Sequence, residues 1–317
     1  MPNSTPNSKP AKIWAADYPV TETLVRGLLD SQFPELTPLD LRLLGEGWDN
    51  TAYLVNSKLV VRFPRRKMAL ELLMNEAKLL PIIALHVQVA IPAPTLIGAP
   101  SVDYPCPFTG YQLIPGVTAC SIELDDSKRS SLASPLGAFL RALHGIPVAD
   151  EQRNTLPGDS IGRANMKKRL PIFEDRVKKL DANIRENGID PNAILAFAHE
   201  LSEALAHPGP TCFVHGDLYV RHLLLNEAFV LSGVIDWGDV HLGDPAVDLM
   251  IAYSFLPLSA RAGFEAAYGA IDAHAKARAH FRALYYGAVL LEYGIDVGDT
   301  ALQKAGIYAM RQIGTSD

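Results

Sequence analysis

The chain has 317 residues, 48% of them hydrophobic and 20% charged, with a formal net charge of −6. That length accommodates two domains, and that composition fills a large core. A mildly acidic chain without a basic cluster argues against nucleic-acid or anionic-membrane binding, and there is no run of about 18 apolar residues to span a bilayer. Cys106, Cys120 and Cys212 form neither a CxxC motif nor a disulfide framework. They read as small apolar residues in a reducing compartment. The opening MPNSTPNSKPAK lacks the apolar stretch of a signal peptide, and its Pro, Ser and Asn content predicts a disordered tail over residues 1–18. The expected location is the cytoplasm.

Residues 19–33 predict a short amphipathic helix with Leu24, Leu28 and Leu29 at helical spacing. Short β-rich runs follow at 41–44, 51–55 and 59–63. Turn-like Gly45-Glu46-Gly47 and Asn56-Ser57-Lys58 separate them, which predicts a three-stranded antiparallel meander. Residues 68–85 predict a helix with Leu72, Leu79, Ile82 and Ile83 on its buried face and Glu76 near its middle; Pro92 and Pro94 close that region. Two more strands are expected at 95–97 and 108–114. Pro115-Gly116 marks the boundary between a β-rich N-terminal lobe, 19–114, and a mainly helical C-terminal lobe, 115–317. Helices are expected there over 131–144, 164–186, 191–206, 246–255, 258–274, 276–293 and 299–313, with a strand-loop-strand block at 212–239. A small antiparallel β lobe joined to a larger helical lobe is an α+β arrangement, with a ligand cleft expected at the junction.

Two segments concentrate the chemistry: Phe213-Val-His-Gly-Asp-Leu-Tyr-Val-Arg-His-Leu-Leu-Leu225 and Gly233-Val-Ile-Asp-Trp-Gly-Asp239. In each, an apolar strand runs into an acid, Asp217 or Asp236, and a β-hairpin could bring both carboxylates to one pocket. Two carboxylates in one pocket need neutralising. Magnesium, a hard cation with oxygen ligands, is usually shared between a few carboxylates and substrate phosphates. That points to phosphoryl transfer, where catalysis is mostly positioning and charge stabilisation. In the division of labour this suggests, Asp217 is the base that orients an acceptor hydroxyl and takes its proton, and Asp236 is the metal ligand. No G-x-S-x-G, HExxH or paired Cys/His spacing supports a serine hydrolase or a zinc site.

HGDLYVRHLLL followed by VIDWGD resembles the aminoglycoside and macrolide phosphotransferases and, more distantly, the protein kinases, whose pattern is H-R-D-x-x-x-x-N followed by D-F-G. The resemblance runs from about residue 38 to the end. It implies a two-lobed protein-kinase-like fold, Asp217 as catalytic base and Asp236 as metal ligand. The place of the kinases' metal-binding Asn is taken by His222, as in macrolide phosphotransferases. His222 is then a direct ligand, a ligand through water, or a pocket residue. Arg221 either braces the base or touches the transferred phosphoryl. The resemblance makes His215 an architectural residue that braces the loop. In Gly243-Asp-Pro-Ala-Val-Asp-Leu249 it makes Asp244 and Asp248 ties between the catalytic loop and the next helix. Asp239 either assists the metal or caps. His144, ending an apolar helix, reads as a satisfied structural histidine.

On the nucleotide side, Gly45 and Gly47 alone would make an ordinary hairpin turn. With the downstream motifs they resemble a loop whose backbone N–H groups approach phosphates. Arg62, in Val60-Val-Arg-Phe-Pro64, stands where kinases place a phosphate-gripping Lys, and Glu76 resembles its paired Glu. Arg65, Arg66 and Lys67 read as solvated. Gln112, Leu113 and Ile114 fall on the family's inter-lobe linker, whose backbone binds the purine edge. The co-substrate is expected to be ATP or GTP with magnesium, and His222 leans the reading towards GTP. The acceptor is expected to be a small-molecule hydroxyl. Glu265, Asp272, Glu292, Asp296 and Asp299 would suit a polycationic aminoglycoside; Phe255, Phe264, Tyr285, Tyr286 and Leu290 would suit a macrolide. A metabolic kinase for an amino alcohol or sugar is the alternative within the class. A nucleotide-binding pseudokinase is the alternative outside it, against which the presence of both Asp217 and Asp236 argues.

Overall fold

The computed structural model describes residues 16–47, 49–203 and 209–312. Most of the expected N-terminal tail, Trp48 and the last residues of the helices expected over 191–206 and 299–313 lie outside them. The chain divides into two compact units, one running up to Lys78 and including Ala93–Leu113, the other comprising Leu79–Pro92 and the chain from Ile114 onward.

In the first unit, helix α1 (Glu22–Gln32) is capped by Thr21, whose hydroxyl accepts from Leu24 N at 3.3 Å, and buries Val25, Leu28 and Leu29. Strands β1 (Leu41–Glu46), β2 (Asn50–Val55) and β3 (Leu59–Pro64) form the expected meander. Helix α2 (Ala69–Ile83) follows, then β4 (Leu96–Gly98) and β5 (Phe108–Gln112). The last two strands join the same sheet, giving the antiparallel order β1-β2-β3-β5-β4. Asn56 and Ser57 both take positive φ, 52° and 56°, which matches the twist of the β2–β3 hairpin. Phe63 and Phe108 stack at 4.6 Å in the core beneath. Asp17 and Tyr18, assigned to the tail by composition, both donate their N–H to the Arg65 carbonyl, at 2.8 and 3.0 Å.

The α2 face differs from expectation. Leu73, Glu76, Leu79, Leu80 and Ile83 are buried, whereas Ile82 is exposed and Leu72 only half-buried. The helix is rotated so that Glu76 points inward to Arg62, and the apolar residues inside are those that share the Glu76 side.

The second unit contains β6 (Val117–Thr118), α3 (Asp126–Ser131), α4 (Ala133–His144), α5 (Asp150–Arg153), α6 (Met166–Lys179), α7 (Asp181–Glu186), α8 (Pro191–Glu203), β7 (Cys212–Val214), β8 (Leu223–Leu225), β9 (Leu231–Val234), β10 (His241–Gly243), α9 (Ala246–Leu249), α10 (Ile251–Ser254), α11 (Leu258–Tyr268), α12 (Ala273–Val297) and α13 (Thr300–Arg311). Phe173, Ile184, Ile194, Phe281, Leu284, Leu291 and Met310 pack α6, α7, α8, α12 and α13 into one core. Caps explain where boundaries differ from the sequence reading. Asp272 accepts from Ala275 N at 2.9 Å and starts α12 early, while Gly298 at φ 70° ends it. Gly269 at φ 112° stops α11, so residues 269–272 are not helical. The helix expected over 164–186 breaks at Leu180 into α6 and α7. Asp125 caps the unanticipated α3 through Lys128 N. Two small sheets, β6-β8-β9 and β7-β10, sit among these helices.

Candidate active site

Strand β7 delivers the chain to His215-Gly216-Asp217, and β9 delivers it to Asp236. The β8–β9 hairpin aligns Leu223 with Val234, and the ladder continues as Ile235 N donates to His222 O at 2.9 Å. His222 and Asp236 are thereby made neighbours by strand register. Gly216 has φ 86°, and a Cβ built there would lie 2.3 Å from the Asp239 carbonyl oxygen, so no other residue fits.

One imidazole joins the two acids. His222 Nδ1 is 2.8 Å from the Asp217 backbone carbonyl and 3.9 Å from Asp217 Oδ2, while Nε2 is 3.3 Å from Asp236 Oδ2. The carbonyl accepts a hydrogen bond from Nδ1–H, which orients the ring and aims Nε2 at Asp236. Burial opposes charge on His222, but the hydrogen bond to Asp236 and the field of Asp217 outweigh it and raise its pKa. The Asp236 side chain is 57% exposed, and its backbone takes φ 64°. Tyr286 donates to Asp217 Oδ1 at 2.5 Å.

A buried carboxylate organises the loop from behind. Asp248 accepts from His215 N at 2.7 Å and Gly216 N at 3.0 Å, and pairs with His144 Nε2 at 3.2 Å. Burial pushes its pKa up, but these donors, led by His144, hold it below the ordinary value. His144 also meets Tyr268 OH at 2.9 Å. His215 is fully buried and bonds the Ile235 carbonyl through Nε2 at 3.0 Å; burial lowers its pKa and keeps it neutral. Trp237, also fully buried, lies 4.6 Å from the His215 ring and donates to Val234 O. Asp244 binds Arg278 Nε at 2.6 Å.

The model of the family described as APH, phosphotransferase enzyme family, matches residues 40–281. The chain belongs to the phosphotransferase enzyme family. It is a phosphotransferase, an enzyme that transfers phosphate to a hydroxyl group. Among solved structures, this phosphotransferase is similar to the GDP complex of aminoglycoside 2'-phosphotransferase-IIIa, with 24% identity over 92% of this chain and 98% of that one, TM-score 0.65. It is also similar to macrolide 2'-phosphotransferase MphH from Brachybacterium faecium, with 23% identity over 90% and 97%, TM-score 0.59. The gentamicin complex of APH(2")-IIa matches at 18% identity over 94% and 98%, TM-score 0.57. The expected α+β, kinase-like fold is the fold these enzymes share.

Elsewhere in the phosphotransferase, Arg221 forms an ion pair with Asp299 at the start of α13 and makes no hydrogen bond to Asp217 among the described residues. Asp239 pairs with the buried Arg163, a residue that no motif in the chain singles out. Arg62 Nη1 meets Glu76 Oε2 at 2.6 Å, with side chains only 12% and 5% exposed. Gly45 and Gly47 are exposed at the β1–β2 turn, where a bulge shifts the register. Arg65 and Arg66, read as solvated, are half-buried instead. Arg65 donates to the Gly47 carbonyl at 3.2 Å and pairs with Glu46 at 3.3 Å, and Arg66 reaches Asp49 at 3.5 Å, so both fasten the turn. Gln112 and Leu113 end the first unit and Ile114 begins the second. The Leu113 N–H is already donated to Lys58 O at 2.7 Å.

Among the described residues, no group of three or more His, Cys, Asp or Glu forms a ready-made metal cage. His222 and Asp236 offer two donors, and a magnesium ion that also binds substrate phosphates needs few from the protein. No described helix is long and apolar enough to cross a membrane.

Proposed function

We propose that the enzyme transfers the γ-phosphoryl group of ATP or GTP to a hydroxyl of a bulky, largely apolar compound of macrolide type. Asp217 is the base that orients the acceptor and takes its proton. Asp236 and His222 would hold magnesium, whose charge offsets that of the phosphates when bound. The nucleotide is handled in the first unit by Arg62, braced by Glu76, with Gly45 and Gly47 as phosphate-facing backbone; the Gln112–Ile114 segment, along which the chain passes from the first unit into the second, is the purine-reading stretch. The observation that carries this assignment is the shared imidazole, with Asp217 against one ring nitrogen and Asp236 against the other. A metal-ligating His ordinarily gives its second N–H to a carbonyl or carboxylate, as His222 does. A nucleoside triphosphate requirement and three free cysteines suit the cytoplasm.

The acceptor class follows from which acids are already engaged. Of the five acids named above Asp296 is exposed, but the other four are engaged: Glu265 pairs with Lys276 at 2.8 Å, Asp272 caps α12, Glu292 holds Arg176 and Lys179 at 2.5 Å each, and Asp299 caps α13 while pairing with Arg221. A cleft of about 670 Å³ in the second unit is lined by Glu123 and Asp125 but also by Lys128, Arg129 and Lys304. Acids so neutralised are a poor cradle for a polycation.

Incubation with ATP or GTP, magnesium and a panel of macrolides and aminoglycosides, with phosphorylated product detected by mass spectrometry, tests this reading. Macrolides should be modified in preference to kanamycin or gentamicin; the reverse order sinks the acceptor assignment. Asp217→Ala should lower kcat by roughly 10²–10⁴-fold with nucleotide affinity kept, and Asp236→Ala should weaken metal–nucleotide binding itself. Near-normal rates in either variant would remove that residue's role.

A further inference from the structure

Tyr286 sits on α12, far in sequence from both motifs, yet its phenol is 2.5 Å from Asp217 Oδ1. We propose that Tyr286 is a positioning residue for the catalytic base, holding Oδ1 of Asp217 so that Oδ2 is presented to the acceptor hydroxyl. This rests on the reading of Asp217 as the base. A carboxylate on a short side chain can turn about its last bond, and a proton acceptor that turns loses alignment with the hydroxyl it must deprotonate.

The surroundings fix the phenol in the donor role. Burial first, and then the charge of Asp217, push the Tyr286 pKa well up, so it keeps its proton. The Tyr219 ring lies 5.3 Å away on one side, and it in turn packs 4.3 Å from His222. The Arg282 guanidinium, one helical turn back on α12, lies 5.2 Å over the Tyr286 ring. Arg282 is buried, and its Nε has no hydrogen-bond partner among the described residues. Its charge faces the π-clouds of Tyr285 and Tyr286, and a cation on the ring face polarises the phenol O–H into a stronger donor.

Among the described residues Oδ2 accepts no hydrogen bond. His222 Nδ1 stands 3.9 Å from it and donates its N–H to the Asp217 carbonyl instead. During transfer the acceptor oxygen bonds to the γ-phosphorus, the bridging P–O bond to the nucleoside diphosphate breaks, and the acceptor proton passes to Oδ2. Tyr286 keeps its own proton throughout.

The test is Tyr286→Phe, which removes only the hydroxyl, measured both on macrolide phosphorylation and on slow hydrolysis of the nucleotide to water. Both rates should fall about 10- to 100-fold in kcat, with unchanged nucleotide KM and unchanged Tm. In an Asp217→Asn background the same substitution should add nothing, because its effect runs through that carboxylate. A wild-type kcat in Tyr286→Phe, or an equal loss in the Asp217→Asn background, overturns the proposal. If the Phe variant fails to fold, 3-fluorotyrosine at position 286 makes the phenol more acidic at nearly constant shape and should change kcat; an unchanged kcat counts against the proposal. Hydrolysis needs no acceptor, so a panel in which nothing is phosphorylated would count against the acceptor reading and leave the Tyr286 result readable.

Discussion

The two units hold their polar residues by different means. In the helical unit, the loop carrying Asp217 is gripped through its backbone: Asp248, far downstream and fully buried, accepts hydrogen bonds from two consecutive amides while braced by His144. In the sheet unit, Arg62 is fixed by a side-chain ion pair with Glu76, and the glycine turn is exposed apart from the grip of Arg65. Backbone grips allow little latitude in where an atom sits. Side-chain pairs allow more, because both partners have rotatable stems. On the proposed reading this suits both roles: a base must meet one hydroxyl at one angle, whereas a flexible chain of phosphates tolerates a cation that moves.

Asp248→Ala should have the largest effect. It leaves two buried N–H groups and His144 without their partner, and the cost should be about 3–5 kcal/mol in urea unfolding, with kcat falling as the loop loosens. Arg62→Lys should be milder, since the charge stays beside Glu76 and only the fork geometry is lost: nucleotide KM should rise several-fold, with stability changed by about 1 kcal/mol or less. A loss as large as that of Asp248→Ala would erase the contrast between the units. Glu292→Gln should have the smallest effect. Arg176 first, and then Lys179, hold the Glu292 pKa below its ordinary value. The stabilisation is therefore present above the unfolded carboxylate range, roughly pH 4.3, and is lost as pH falls through the lower folded value. Solvent screening limits it to no more than about 1 kcal/mol. Thermal melts should separate wild type from variant at pH 6 and converge near pH 3; a gap that widens in acid would contradict the sign.

Much of this was readable from the chain. The HGD and DWGD segments announced themselves because each acid follows a short apolar strand, and that local pattern survives folding unchanged. The first three strands of the sheet were likewise marked, as β-rich runs separated by turn residues at Gly45, Gly47, Asn56 and Ser57. Partners chosen by tertiary packing were not readable. Arg163 gives no sign that it will meet Asp239. The face of α12 that reaches Asp217 is hidden because most of that helix is buried, so no single apolar stripe marks an inside. The α2 face was misplaced for a related reason: a charged residue turned inward to meet Arg62, and hydrophobic spacing alone assigns charge outward.

The tight fit at Gly216 has a practical consequence for anyone seeking to redirect the enzyme to a different alcohol. With the Asp239 carbonyl oxygen 2.3 Å from where a methyl would stand, that position is closed to diversification. Libraries are better spent on cleft residues such as Glu123, Lys128 and Lys304, which make no contact with Asp217 among the described residues, so that altered side chains there can reshape the cleft without moving that carboxylate.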